Sequence, residues 1–154
     1  MIDITMIRLV KGEKIKIHYR KQNAGDMTLN DEFTVQSWDK PRPELYETIT
    51  ALAPHVCAFC DLPAEYAGGM QVTALSLSYT AETIAVTAHV EKYIVNSQKP
   101  FAFSTPPMML AGSSGRPGAC TPEAAKAIHE VLKEATLYVN GDRAQVGFDF
   151  GGMK

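Results

Sequence analysis

The sequence predicts an α+β fold, either a twisted antiparallel sheet or a partly closed β-barrel, with two amphipathic helices on one side. Short strand-like stretches separated by turn signals predict the sheet. Two stretches with apolar residues at spacings of three and four predict the helices. The chain has 154 residues, 45% hydrophobic and 21% charged, which is typical of one globular domain over residues 1–154.

The first part of the chain predicts three strands. Residues 2–10 and 13–21 read as strands on either side of Lys11-Gly12, a typical hairpin turn. Residues 34–38 predict a short third strand that ends at Trp38.

A helix follows, because five apolar residues from Glu44 onward recur at spacings of four and three: Leu45, Ile49, Leu52, Val56 and Phe59. Pro54 should kink or divide this helix, since its ring clashes with the carbonyl four residues earlier. Residues 71–79 and 83–93 then predict a long hairpin, and residues 101–103 a short strand.

The second helix begins at Thr121, whose side chain can cap the helix, with Pro122 in the first turn. At its end, Asn140-Gly141 either closes a longer helix or turns a hairpin from residues 136–139 into residues 144–150. The β-branched and aromatic residues in 136–139 favour the hairpin. The sequence shows no internal repeat and no heptad.

The predicted second strand carries a basic stripe. Strict alternation places Ile15, Ile17 and Tyr19 on one face of this strand. The other face then holds the basic stripe, which consists of Lys14, Lys16, His18 and Arg20. Side chains two residues apart on a strand are about 6.5 to 7 Å apart, close to the phosphate spacing of an extended single-stranded nucleic acid. Solvated strand faces also carry lysine, so an ordinary surface stays open as an alternative.

Aromatic side chains next to such a stripe can stack on bases. Tyr19 and Trp38 are the candidates, and filling of the core is the alternative for each. Residues 104–120 hold three prolines and three glycines and predict a long loop. In this loop Met108, Met109 and Arg116 are candidate contacts for a protein or an anionic ligand.

Cys57 and Cys60 have the spacing of zinc sites and redox pairs. No second pair of ligands accompanies them, so we expect core packing, with metal binding and redox chemistry as alternatives. No catalytic or phosphate-loop motif is present, and the sequence predicts no enzyme, no cofactor and no metal. The formal net charge of −2 argues against a dedicated duplex-DNA-binding protein. No apolar run could span a membrane and the N-terminus does not resemble a signal peptide, so we expect a cytoplasmic protein.

Three segments resemble small proteins of tailed phages and prophages: Met70 to Ser78, Ile84 to Val90, and Pro100 to Pro106. The resemblance implies a setting in phage recombination, replication or the countering of host defences, and hence the host cytoplasm. It assigns no functional residue.

The first functional hypothesis is therefore a non-enzymatic, phage-type protein that binds single-stranded nucleic acid through the basic stripe, with single-stranded DNA as the expected partner. The alternatives are an accessory or anti-defence protein that binds a host protein or a small nucleotide through residues 104–120, and a structural subunit of a homo-oligomer. Whether another element covers the stripe is the observation that separates them.

Overall fold

The computed structural model describes residues 2–10, 14–22, 30–36, 43–80, 83–110 and 118–141. The strands within these ranges are β1 (Ile2–Val10), β2 (Lys14–Gln22), β3 (Asn30–Gln36), β4 (Met70–Tyr79), β5 (Ile84–Ile94), β6 (Lys99–Ser104) and β7 (Met108–Met109). The helices are α1 (Pro43–Thr50), α2 (Ala53–Phe59) and α3 (Pro122–Val139), and a 3₁₀ helix spans Ala64–Gly69.

The seven strands form one antiparallel sheet in the order β3-β2-β1-β4-β5-β6, with β7 paired to β5. Among the described strands, β3 and β6 lie at opposite edges and do not pair with each other. The predicted α+β fold is confirmed, as an open sheet and not as a barrel.

The helices lie on one face of the sheet, which we call the covered face. Ile15 and Ile17 of β2 are fully buried there. Leu45 of α1, Val56 of α2 and Val131 of α3 belong to the same cluster of buried residues. We call the opposite face of the sheet the open face, because α1, α2 and α3 each contribute buried residues to that one cluster. The alternation predicted for β2 is thus confirmed.

Both predicted helix signals are present. The first helical segment is divided, since α1 ends at Thr50 and α2 begins at Ala53 with Pro54 in its first turn. This position suits proline, because the first turn of a helix needs no backbone donor. In α3 the amide of Ala124 donates to Thr121 Oγ1 at 3.1 Å, as an N-cap requires.

The hairpin predicted from residues 136–139 is wrong, because α3 continues through this segment to Val139. Tyr138 is only 1% exposed, and its burial outweighs the β-propensity of its neighbours. Thr136 Oγ1 donates to the carbonyl of Leu132 at 2.9 Å, a bond within the helix. Gly141, with φ of 101°, follows the helix in the left-handed conformation. Residues 144–150 lie outside the described residues.

The register between β1 and β2 differs by one residue from the prediction, while Lys11-Gly12 itself lies outside the described residues. Val10 pairs with Lys14, whereas a two-residue turn at Lys11-Gly12 would pair Val10 with Glu13. Strand β3 is longer than predicted at its start, since it begins at Asn30. Trp38 lies outside the described residues.

The sheet contains an internal two-fold repeat that was not evident in the sequence. In each half a bulge displaces one threonine, Thr5 in β1 and Thr73 in β4. The residue after each threonine pairs with a histidine of the next strand, Met6 with His18 and Ala74 with His89.

The repeat continues into the outer strands and across the middle of the sheet. His18 pairs with Thr34 of β3, and His89 pairs with Ser104 of β6. At the seam between β1 and β4, Met6 pairs with Ser76 and Arg8 pairs with Ala74. The two-fold rotation that relates the two halves converts each of these pairs into the other. The first half comprises β1 to β3 with α1 and α2, and the second comprises β4 to β7 with α3.

Candidate nucleic-acid interface

The basic stripe lies on the open face of the sheet. Lys16 and His18 alternate with the buried Ile15 and Ile17 and are half-buried among neighbouring side chains. Since the described helices pack on the covered face, none of them lies over the stripe. The described part of the structure thus leaves the stripe accessible to a ligand.

Strand β1 extends the stripe sideways through Arg8, which sequence reasoning missed. Arg8 is exposed and stands directly opposite Lys16. In the described ranges no carboxylate forms an ion pair with either side chain. The register predicted from Lys11-Gly12 would place Arg8 opposite Ile15, on the other face of the sheet. The observed register is shifted by one residue and places Arg8 opposite Lys16.

Arg20, at the far end of the stripe, is balanced by neighbouring groups. Its guanidinium lies 3.7 Å from the Asp3 carboxylate and 5.4 Å from the centre of the Tyr79 ring. Glu32 of β3 stands directly opposite Arg20 on the other side, although these two described side chains form no ion pair. The end of the stripe that carries Lys16, with Arg8 beside it, is therefore the end without such balancing groups in the described ranges.

The structure places Tyr19 away from the basic stripe. Tyr19 packs against the core on the covered face and stacks on Phe33, with ring centres 5.2 Å apart. The described aromatic residue on the open face is Tyr93 of β5, the third strand from β2. The described part of the open face thus holds no aromatic side chain beside Lys16 and His18 of the basic stripe.

Two histidines occupy equivalent positions on the open face. Thr5 Oγ1 donates to the carbonyl of His18 at 3.2 Å, and Thr73 Oγ1 donates to the carbonyl of His89 at 3.1 Å. The Nδ1 atoms also have equivalent partners, since His18 Nδ1 is 3.1 Å from Thr34 Oγ1 and His89 Nδ1 is 2.7 Å from Ser104 Oγ.

The two rings differ at Nε2. His89 Nε2 lies 3.0 Å from Ser76 Oγ, so both nitrogens of this ring have partners. No described residue hydrogen-bonds to His18 Nε2. The position equivalent to Ser76 in the first half is Arg8, which carries donors only.

The ends of the predicted 104–120 loop are held by the sheet. Met108 is 3% exposed in β7, so it cannot offer the surface contact that the sequence suggested. Met109 is half-buried, and its amide donates to the carbonyl of Gly118 at 2.7 Å. Arg116 lies outside the described residues.

The cysteines have the environment of packing residues. Cys57 is buried, and its thiol lies 3.7 Å from the sulfur of Met70. Burial raises the pKa of Cys57, Cys60 and Cys120, which is opposite to the shift that activates a thiol. Among the described residues no three His, Cys, Asp or Glu side chains are grouped so that they could hold a metal ion.

A cavity of about 310 Å³ lies between α2 and the start of α3. His55, Phe59, Cys120 and Ala124 are among its lining residues. The described lining includes no lysine or arginine, so the cavity does not offer the cation expected for a nucleotide phosphate.

Comparison of the chain with protein-family models, with curated protein sequences and with solved structures gives no match in any of the three. No helix in the described ranges is both long enough and apolar enough to cross a membrane.

Proposed function

We propose that the protein binds single-stranded nucleic acid on the open face of its sheet, without catalysis. Arg8, Lys14, Lys16 and His18 contact phosphates of the backbone. The phage-type setting implied by the resemblance agrees with such a ligand. Stacking by Trp38 remains a prediction.

The internal repeat is the main support for the proposal, because its second half shows which types of side chain the fold accepts at equivalent backbone positions. By the shared pairing of the strands, Arg8, Lys14 and Lys16 are equivalent to Ser76, Ala85 and Thr87 of the second half. In the second half the same fold therefore forms with an uncharged side chain at each of these three positions. The cations of the first half are not a requirement of the fold, and this supports a role in binding.

Electrostatics supports the same conclusion. Like charges directly opposite each other on neighbouring strands destabilise a sheet, and Arg8 stands opposite Lys16. An anion placed between the two side chains removes this repulsion and adds charge-assisted hydrogen bonds. The pair is thus unfavourable in the free protein and favourable in a complex with a phosphate.

The test replaces each cation with its equivalent from the other half, as Arg8→Ser, Lys14→Ala and Lys16→Thr in one variant. Fluorescence anisotropy with a 30-nucleotide oligothymidylate over a salt series measures affinity and its salt dependence. We expect weaker binding and a log-log salt slope that falls by about 0.7 for each phosphate that the variant no longer binds. Thermal stability should be unchanged or slightly higher.

A matched control removes three exposed lysines from other surfaces, as Lys99→Ala, Lys126→Ser and Lys133→Thr. This control changes the net charge equally and should keep most of the affinity. The proposal is wrong if the natural protein does not bind the strand at low salt, or if both variants lose affinity to the same extent.

A further inference from the structure

We infer that Arg8, Lys16 and His18 together form a site for one phosphate group, in which His18 Nε2 donates a hydrogen bond to a phosphate oxygen. The inference rests on the proposed function, because it names the group that the open face binds. It also assigns different roles to two histidines that the sheet holds in the same way.

The hydrogen bonding of the two rings supports this site. His18 and His89 share a threonine bond to the carbonyl and a hydroxyl partner at Nδ1. The hydroxyl at Nδ1 can donate or accept according to the tautomer, and in the tautomer in which it donates, the ring proton lies on Nε2. In His89 the Nε2 atom lies within hydrogen-bond distance of Ser76 Oγ. No described residue hydrogen-bonds to the Nε2 atom of His18.

The charge around each ring also differs. The charged residues that face His18 are Lys16 and Arg20 on its own strand, Arg8 and Asp3 on β1, and Glu32 on β3. Since Asp3 and Glu32 flank Arg20, the excess positive charge lies on the side of Arg8 and Lys16. The charged residues near His89 are Glu91, two positions along β5, which opposes an anion, and Arg8, which lies beyond Ala74 in the same row of the sheet.

The spacing of the three side chains suits one phosphate. Residues directly opposite on antiparallel strands have Cβ atoms about 5 Å apart, and residues two apart on one strand are about 7 Å apart. Arg8, Lys16 and His18 thus stand at the corners of a small triangle. Their side chains are long enough to reach one phosphate from three sides, at the distances of about 2.7 to 2.9 Å typical of charge-assisted bonds.

The experiment follows the imidazole nitrogens of the ¹⁵N-labelled protein by NMR while inorganic phosphate, and separately a 12-nucleotide oligothymidylate, is added. We expect His18 Nε2 to shift with both ligands and His89 Nε2 to stay in place. Removing one bond to a charged group should weaken binding about tenfold, so His18→Gln should raise the Kd for the oligonucleotide by that factor. His89→Gln is the matched control and should leave the Kd nearly unchanged.

If His89→Gln does not fold, Ser104→Ala removes the Nδ1 partner of the same ring and serves as the control.

The outcomes separate the two proposals. If the oligonucleotide binds while His18 Nε2 does not respond, or if both histidine variants weaken binding equally, the phosphate site is wrong and the proposed function stands. If inorganic phosphate shifts His18 but the oligonucleotide does not bind, the site stands and the proposed function is wrong.

Discussion

Tyr79 shows how a single residue joins parts of the sheet that backbone pairing does not reach. Its hydroxyl donates to the carbonyl of Ile4 at 2.6 Å, beyond the paired part of the seam. Arg20 lies over its ring. Burial raises the pKa of Tyr79 to about 12, with a further increase from the Asp3 carboxylate. The neutral phenol is thus the form that the folded protein favours.

Stability should therefore depend on pH through Tyr79. A phenol with a folded pKa near 12 and an unfolded pKa near 10 stabilises the fold fully below pH 10, and this contribution is lost as the pH rises to 12. We expect a loss of about 1 to 2 kcal/mol, reduced by the partial exposure of the ring. Urea unfolding between pH 9 and 12 measures it.

Tyr79→Phe provides the reference, because it keeps the ring and removes the titrating hydroxyl. Its stability should fall less over the same pH range. Equal pH dependence in both proteins would show that Tyr79 does not couple its ionisation to folding.

At the scale of elements, the start of α3 depends on one hydrogen bond that the sequence predicts. Thr121→Ala removes the acceptor for the amide of Ala124 and should cost about 1 kcal/mol of unfolding free energy. Thr121→Ser keeps the oxygen and should cost much less. Chemical denaturation of the three proteins measures the difference, and an equal loss in both variants would contradict the capping role.

The elements also show what could be predicted from the sequence and what could not. The division at Pro54, the cap at Thr121 and the alternation in β2 depend on local chemistry, and all three were predicted correctly. The end of α3 depends on the burial of Tyr138 against distant residues, which no local pattern reports. Local propensity therefore gave the wrong secondary structure at a segment whose structure is determined by tertiary packing.

The candidate site was predicted in part for the same reason. The basic stripe follows from alternation along one strand, but Arg8 joins it only through the register between two strands. The repeat was missed because the two halves share few residues, namely a threonine, a histidine and a phenylalanine, which is Phe33 in the first half and Phe103 in the second. The spacings between these residues also differ between the halves. The pairing of the strands was needed to align them.

At the scale of the whole molecule, the repeat predicts that binding can be transferred from one half to the other. Ser76→Arg with Thr87→Lys gives the second half the cationic pair of the first, and it removes the partner of His89 Nε2. We expect tighter binding to oligothymidylate and a log-log salt slope steeper by about 0.7 for each additional phosphate that is bound.

The control for this gain places the same charges elsewhere, as Thr50→Arg with Ala58→Lys on exposed helix positions. If the control binds as tightly as the transfer variant, the effect is one of net charge alone. In that case the open face has no special role.

The seam between the halves has a consequence for folding cooperativity. In the described residues three pairs join β1 to β4, so the hydrogen bonds alone would let the halves separate easily. However, α3 of the second half packs on β1 of the first, and α1 of the first half packs on β4 of the second. Opening the seam must therefore strip both helices from the sheet, and a state with one half unfolded would expose much of the core. We expect the amides of Ile7 and Leu75 to exchange hydrogen only through global unfolding, in a single two-state transition.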